Sequence, residues 1–171
     1  MITNYNKCLE IILEHEGGFV NHPKDPGGIT NYGVTKKVYD KWVGRETTPK
    51  EMRDLTHEDV APIYKKNYWN RAKCDQLPMG VDLCVFDWAV NSGVSRSAKA
   101  LQRIVGVEQD GGIGPMTLQA VAEVDPEDII EQMHYTRQNF YEKLSTFDTF
   151  GKGWTRRNDE TKEKALEMLH G

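Results

Sequence analysis

The sequence predicts a mainly α-helical protein with one small β-hairpin after the first helix. Apolar residues recur at helical spacing along most of the 171-residue chain. Threonine or aspartate precedes several of these segments, and glycine or proline follows them, as is typical of helix starts and stops. One stretch differs: residues 18–33 contain Pro23, Pro26 and the pair Gly27–Gly28, so they cannot continue as a helix.

The first predicted helix covers residues 4–15, where the apolar residues share one face, and Gly17 ends it. Residues 18–33 follow as the small, irregular hairpin or loop. Residues 79–91 are apolar on most sides, which predicts a central buried helix. Start signals and apolar patterns predict the later helices, which begin near Thr35, Thr48, Thr56, Met79, Ser95, Pro115, Asp125 and Trp154.

The domain organisation is simple. No internal repeat or low-complexity linker divides the chain. A weak boundary near residues 93–97 separates two expected regions, residues 1–94 and residues 95–171. Because no linker stands between them, we expect both regions to pack into the same globular body.

Composition and charge exclude two classes of partner. The formal net charge is −4, and neither half of the sequence is basic, so nucleic acid is not an expected partner. No segment approaches the roughly 20 consecutive apolar residues of a membrane-spanning helix, so stable membrane insertion is not expected. The N-terminus does not have the pattern of a signal peptide, so we expect synthesis in a cytoplasm. We also expect the protein to be a monomer.

No metal or cofactor site is expected. The three cysteines show no CxxC spacing, which argues against a disulfide framework or a structural zinc site. Cys8 and Cys84 lie in apolar helical patterns, which predicts that both are buried as small hydrophobic residues. The dipeptide at 57–58 begins like the zinc motif HExxH, but Ala61 stands where the second histidine belongs. The glycine-rich connection at 108–115 lacks the alternating oxygen ligands of a calcium loop.

Glu16 is the candidate catalytic acid. It stands at the C-terminal end of the first predicted helix, where the helix dipole is negative and favours the protonated carboxyl. Asp25 lies in a polar turn rich in backbone N–H groups, which favours its ionised form. Two carboxyls in contrasting environments are typical of glycoside cleavage, in which one donates a proton and the other acts on water. Thr30 is placed to help Asp25 hold that water.

The alternative is that this segment is only a turn. A helix that ends in glycine, followed by Asp-Pro-Gly-Gly, is a common connection, and its acids often face solvent. From spacing alone that alternative is favoured. Glu14 is a second acid in the same helix end, and we expect it to be a solvated surface group.

A family resemblance extends along nearly the whole chain. The stretch EGGFVNHPKDPGGITNYGVT at 16–35 closely resembles the opening motif of glycoside hydrolase family 108, the N-acetylmuramidases of phage endolysins and related bacterial proteins. The resemblance continues in FDWAVNSGVSRSAKALQ at 86–102. The segments DGGIGPMTLQAV at 110–121 and RQNFYEKLSTFDTFGKGWTRR at 137–157 are similar to the family's peptidoglycan-binding-type C-terminal segment.

The resemblance implies a lysozyme-like helical fold and cleavage of the β-1,4 bond between N-acetylmuramic acid and N-acetylglucosamine in peptidoglycan glycan strands. The glutamate of the EGG motif is Glu16, which the resemblance makes the catalytic acid. The order Glu, Asp, Thr is similar to the catalytic trio of phage-type lysozymes, which points to Asp25 and Thr30 and to an inverting reaction. His22 stands where family members often carry an acid, so no role is expected for that position.

Other polar residues are candidates for lesser roles. The resemblance places Tyr32 and Asn91 near the substrate cleft, where they would contact acetamido and hydroxyl groups. Asn91 is equally suited to cap the end of the central helix. Asp82 and Asp87 interrupt the apolar segment 79–91, and we expect them to pair with arginine or lysine. For most of the four tryptophans, core packing is favoured over sugar stacking.

The sequence therefore predicts a peptidoglycan muramidase of the endolysin type. A non-catalytic wall-binding protein and an amidase that cuts the peptide stem are the two alternatives. An endolysin is made in the cytoplasm of the host bacterium and acts on the wall or in the periplasm after membrane disruption. We therefore expect it to rely on a separate holin.

Overall fold

Helices make up most of the chain, as predicted. A computed structural model describes residues 2–21 and 28–171. Within these ranges the helices are α1 (Ile2–Glu16), α2 (Lys36–Val43), α3 (Pro49–Arg53), α4 (His57–Tyr64), α5 (Val81–Ser92), α6 (Val94–Val105), α7 (Pro115–Ala122), α8 (Pro126–Glu142) and α9 (Phe147–His170). A π-helical turn at Lys65–Trp69 and a 3₁₀ turn at Cys74–Gln76 lie between α4 and α5.

The chain forms two compact units, Met1–Asn67 and Tyr68–Gly171. The boundary that the sequence suggests, between residues 94 and 95, stays a prediction. None of the helices in the described ranges has the length and apolar character needed to cross a membrane.

The first unit contains the predicted hairpin, extended to three antiparallel strands. The strands are β1 (Val20–Asn21), β2 (Ile29–Asn31) and β3 (Val34–Thr35), in the order β1-β2-β3. Val20 and Thr35 both lie opposite Thr30. Only two residues join β2 to β3, and both have positive φ, which is the type I′ geometry preferred in tight hairpins.

Two polar contacts fix this sheet and α1 to neighbouring helices. The buried Asn31 side chain donates from Nδ2 to the carbonyl oxygens of Met52 at 2.9 Å and Arg53 at 3.3 Å, at the end of α3. The Tyr5 hydroxyl of α1 donates to the carbonyl of Ala61 in α4 at 2.5 Å. The hairpin is therefore attached to a helix end by its own side chain and not by apolar packing alone.

Helix starts in this unit follow the sequence signals. The Thr35 hydroxyl accepts from the backbone N–H of Val38, and Gly44 ends α2 in the left-handed conformation. Thr48 and Thr56 each form a capping box with the acid three residues later. These threonines satisfy N–H groups that the first helical turn leaves without partners, so the predicted starts are confirmed.

The second unit is built around α5. Its residues from Val81 to Ala89 are all buried, and it contacts α6, α8 and α9. Trp69 and Phe86 pack edge to face, with ring centroids 5.1 Å apart. The central buried helix predicted from its apolar sequence is therefore confirmed.

A buried ionic network crosses this unit. Asp87 of α5 is fully buried and accepts from Arg137 of α8 at 2.8 Å and from Arg157 of α9 at 3.0 Å. The Thr161 hydroxyl donates to the same carboxylate at 3.1 Å. The predicted pairing of Asp87 with arginine is confirmed, and it links three helices.

Asp82 has a role that the sequence did not suggest. Its Oδ1 accepts from the backbone N–H groups of Gly80 at 2.9 Å and Leu83 at 2.7 Å, at the start of α5. The side chain is buried, and this burial raises the pKa of Asp82 to about 6. The carboxyl therefore satisfies the helix start but is costly to ionise.

The last helix begins earlier than expected. The sequence predicted a start at Trp154, but α9 runs from Phe147. Because glycine is a poor helix former, Gly151 and Gly153 argued against a helix in the sequence, and the first two turns of α9 were not predicted. A Cβ placed at Gly151 would lie 2.7 Å from the ring of Phe147, so glycine at this position lets that ring pack against the helix.

All three cysteines are buried, as predicted for Cys8 and Cys84. Burial raises the pKa of Cys84 to about 12 and that of Cys74 well above its usual value. Both thiols are therefore unreactive at neutral pH.

Candidate active site

Glu16 is the last residue of α1 and is partly buried. Gly17 follows with φ of 75°, and its N–H donates to the carbonyl of Leu13 at 3.2 Å. A left-handed glycine at this point is a common way for a helix to end. The predicted helix stop is therefore confirmed, and it places a carboxyl at the negative end of the helix dipole.

The Glu16 side chain lies against the turn that joins β2 to β3. A Cβ added to Gly33 would come within 3.0 Å of both Cβ and Oε2 of Glu16, and within 2.5 Å of the Tyr64 hydroxyl. Gly33 also has φ of 75°, a conformation that other residues rarely adopt. Two separate constraints therefore require glycine at position 33: the backbone conformation and the close approach of two side chains.

Tyr64 completes this cluster from the end of α4. It is 3% exposed, and its hydroxyl donates to the carbonyl oxygen of Tyr32 at 2.7 Å. Tyr32 has φ of 50°, which is uncommon for a residue with a side chain. The hydrogen bond holds the strained turn in place beside Glu16. We call Glu16, Tyr32, Gly33 and Tyr64 the Glu16 cluster.

The Tyr32 ring lies edge-on to the imidazole of His57, with centroids 4.8 Å apart. Its side chain is partly exposed. The structure thus places the predicted substrate residue Tyr32 in the same cluster as Glu16.

Of the other two predicted catalytic residues, only Thr30 lies in the described part of the chain. Thr30 is the middle residue of β2 and is partly exposed. It lies two positions before Tyr32 in the same hairpin. Asp25 lies outside the described residues, as does His22, so the role of Asp25 stays a prediction.

Asn91 belongs to the second unit, in the last turn of α5. Its Oδ1 accepts hydrogen bonds from the hydroxyls of Tyr141 and, at 2.7 Å, Ser92. The Tyr141 hydroxyl in turn accepts from Arg137 Nε at 2.8 Å. Asn91 is therefore connected through Tyr141 to the buried network around Asp87. The side chain is partly exposed, and its role in substrate binding stays a prediction.

Sequence reasoning missed Tyr64 and the particular role of Gly33. Tyr64 lies in an ordinary apolar helical pattern, and its contact with Tyr32 spans 32 residues of sequence. No local signal distinguishes it from a core tyrosine. The positive φ of Gly33 was detectable, since a glycine after an extended run is typical of a hairpin turn.

The tryptophans divide into buried and exposed residues. Trp69 and Trp88 are 1% and 2% exposed, so core packing is confirmed for both. Trp42 is 39% exposed, and Lys66 Nζ lies 5.6 Å from the centre of its ring. Among residues 2–21 and 28–171, no group of three or more histidine, cysteine or acidic side chains is arranged to hold a metal ion.

Two family profiles match consecutive parts of the chain. The family described as Glycosyl hydrolase 108 matches residues 9–93. The family described as Predicted Peptidoglycan domain matches residues 96–159. No curated protein sequence matches the chain significantly.

The structure is similar to a solved structure from Brucella abortus, that of SagA. The two share 41% sequence identity and a TM-score of 0.86, over 100% of this chain and 98% of that one. Together with the small sheet after the first helix, this similarity shows that the fold is the lysozyme-like, mainly α fold implied by the sequence resemblance.

Proposed function

Since this chain belongs to glycosyl hydrolase family 108 and is a glycoside hydrolase acting on peptidoglycan, we propose that it is an N-acetylmuramidase. The bond cleaved is the β-1,4 bond between N-acetylmuramic acid and N-acetylglucosamine. The observation that carries the proposal is the Glu16 cluster, in which a carboxyl at a helix end lies against Gly33, a position with positive φ and no room for a side chain.

Glu16 acts as the general acid in this mechanism. It donates its proton to the glycosidic oxygen as the bond breaks through an oxocarbenium-like state. The close approach of Gly33 restricts the rotamers open to the Glu16 side chain, which supports a fixed direction of proton donation.

Asp25 and Thr30 act on the opposite face of the sugar. Asp25 accepts a proton from a water molecule, Thr30 orients that water, and the attack on the anomeric carbon inverts its configuration. An inverting site requires roughly 6.5–9.5 Å between the two carboxyls, to leave room for the water. Tyr32 and Asn91 contact the hydroxyl and acetamido groups of the glycan.

The first test compares Glu16→Gln with Glu14→Gln on purified peptidoglycan. Loss of a general acid lowers the rate by roughly 10²–10⁴-fold. Glu14 is exposed and only two residues away, so it is a matched control and should retain the wild-type rate. Equal activity of Glu16→Gln and wild type, with both chains folded, would exclude Glu16 as the acid.

The products distinguish the proposal from its two alternatives. Mass spectrometry of the released fragments should show new reducing N-acetylmuramic acid ends. Free peptide stems would instead identify an amidase. Binding to the wall with no released fragment would identify a non-catalytic wall-binding protein.

A second test addresses the water-activating side. Asp25→Asn and Thr30→Val should each lower the rate, whereas Thr30→Ser keeps the hydroxyl and should retain much of it. NMR of the initial product should show the inverted anomer. Retention of configuration would assign Asp25 to a nucleophilic role or to none.

We further infer an endolysin role, which the sequence resemblance to phage endolysins supports. The enzyme then acts from inside the host bacterium, as a monomer, once a holin has opened the membrane. Expression in a bacterium should cause lysis only when a holin is expressed with it. Lysis without any membrane-disrupting partner would contradict this role.

A further inference from the structure

A groove rich in basic residues runs along the second unit between α6 and α8. It consists of two adjoining cavities of about 400 and 560 Å³. Arg103, Thr136 and Phe140 line both cavities, so the two are continuous. We call this feature the α6–α8 groove.

The groove carries positive charge without compensation. Arg96, Lys99 and Arg103 lie on its α6 side, and Lys143 lies just after α8. Helix α6 contains no acidic residue. No aspartate or glutamate is found among the described residues that line either cavity, and none of the four cations forms a salt bridge with another described residue. In a chain of net charge −4, such a local patch favours an anionic ligand.

The cations are arranged in a row. Arg96, Lys99 and Arg103 follow the spacing i, i+3 and i+7, so they share one face of α6 and span roughly 10 Å at 1.5 Å per residue. The Arg96 guanidinium lies 4.1 Å from the centre of the Phe140 ring, a cation–π contact that holds it over the groove. A row of this length matches an extended ligand with several negative charges.

The remaining polar groups suit a peptide. Gln109, Gln132 and Asn139 line the groove, and each carboxamide can both donate to a peptide carbonyl and accept from a peptide N–H. Trp88 lines the cavity of about 400 Å³, and its buried indole Nε1 has no hydrogen-bond partner among the described residues. A buried donor without a partner is unusual, but Trp88 also lines a second, small cavity beside Cys84 and Arg137, so the proposal does not depend on it.

We propose that the α6–α8 groove binds the acidic peptide stems of peptidoglycan through their carboxylates. The proposal rests on the proposed function, since it assumes a peptidoglycan substrate. A phosphate-bearing wall polymer would use the cations but lacks the repeating backbone amides, which can pair with both the nitrogen and the oxygen of a carboxamide. The peptide stem uses both the row of cations and the carboxamides, so the observations favour it.

The test measures sedimentation of the full-length chain with purified sacculi. Every protein carries Glu16→Gln, so that the wall is not digested during binding. One set of sacculi keeps its phosphate polymers, and a second set is treated with hydrofluoric acid to remove them. Half of the second set is then treated with an amidase to remove the peptide stems, and the other half is kept intact. Lys99→Glu combined with Arg103→Glu reverses two charges of the groove.

The control is Lys152→Glu combined with Arg156→Glu. Both residues are exposed on α9 in the same unit and lie outside the groove, and the charge changes by the same amount. Circular dichroism and thermal melting establish that each variant is folded. The groove variant should bind intact sacculi about tenfold more weakly than its parent, a difference of about 1.4 kcal/mol. The control should bind intact sacculi within about twofold of the parent. On amidase-treated sacculi the parent, the groove variant and the control should all bind equally.

Three results would overturn the proposal. The first is equal binding of parent and groove variant to intact sacculi. The second is an equal loss on intact and amidase-treated sacculi, which would place the contact on the glycan. The third is an effect seen only before hydrofluoric acid treatment, which would identify a phosphate polymer. The fragment assay with wild-type Glu16 tests hydrolysis separately, so failure of the muramidase proposal is distinguishable from failure of the groove.

Discussion

The Tyr64 hydroxyl donates to the backbone carbonyl of Tyr32 at 2.7 Å and at the same time lies where a side chain on residue 33 would be. One phenol therefore supports the turn and occupies the space beside Glu16. The geometry of the candidate acid thus depends on a tyrosine from a different helix.

Tyr64→Phe removes this hydrogen bond while keeping the ring. The Tyr32 carbonyl then loses its donor, which should lower the free energy of unfolding by about 1 kcal/mol. Peptidoglycan hydrolysis should fall more than stability accounts for, because the turn beside Glu16 loosens. Urea unfolding and fragment release measure the two effects. Tyr39→Phe is the control, since the Tyr39 hydroxyl makes no hydrogen bond with a described residue. If the two variants behave alike, the contact has no role in the site.

Gly33→Ala adds a methyl group where Glu16 and Tyr64 already lie. The left-handed backbone and the steric overlap together should cost roughly 2–4 kcal/mol, and hydrolysis should be lost. Gly44→Ala is the matched control, because Gly44 has φ of 81° but no atom within 4 Å of an added Cβ. It carries the backbone strain alone, about 1 kcal/mol. Equal stability of the two variants would show that the close approach is relieved without cost.

Asp87→Asn leaves two buried guanidinium groups without their carboxylate. The free energy of unfolding should fall by about 3–5 kcal/mol, because uncompensated charge is buried. Lys162→Met is the comparison: its pair with Glu131 at 2.8 Å is partly exposed and should contribute within about 1 kcal/mol. Chemical denaturation of both variants at pH 7 measures the difference. A small effect at Asp87 would mean that water or rearranged side chains take over its role.

Asp82 makes stability depend on pH in a defined direction. Its pKa in the folded chain is about 6, raised by burial above the usual 3.8. The folded state therefore holds this proton more tightly, so the stabilisation is complete below pH 4 and is lost as pH rises through 6. Asp82→Asn keeps an acceptor oxygen for Gly80 and Leu83 and removes the titration. At pH 8 it should be more stable than wild type, by up to about 3 kcal/mol.

The difference between wild type and Asp82→Asn, followed from pH 3 to 8 by thermal melting, isolates this group from other carboxyls. Asp40, for example, has its pKa lowered to about 2, first by the hydrogen bond from Lys36, so its contribution is lost only in stronger acid. Asp54→Asn, at an exposed position, is the control. A constant difference across the range would contradict a raised pKa at Asp82.

Features set by local sequence could be predicted. Thr35, Thr48 and Thr56 each satisfy their own helix start, so their pattern is visible in four consecutive residues. Glu16 could be placed at a helix end because Gly17 follows it. The start of α9 was missed because Gly151 lowers the local helix propensity, whereas its packing against Phe147 is visible only in the structure.

Features that depend on distant contacts could not be predicted. The bond from Tyr64 to Tyr32 and the contact of Gly33 with Glu16 join three separate elements. The pairing of Asp87 with an arginine was predictable in kind, since a buried charge needs a partner. The identity of the two arginines was not predictable, because they are 50 and 70 residues away from Asp87 in sequence.

The network around Asp87 has a consequence for cutting the chain into fragments. A fragment that begins at residue 95 would contain Arg137 and Arg157 but not the α5 carboxylate that lies between them. It would also lose the helix against which α6, α8 and α9 pack. A fragment that begins at Tyr68 keeps the whole network. The matching segment of the peptidoglycan-domain family is thus shorter than the part of this chain expected to fold by itself.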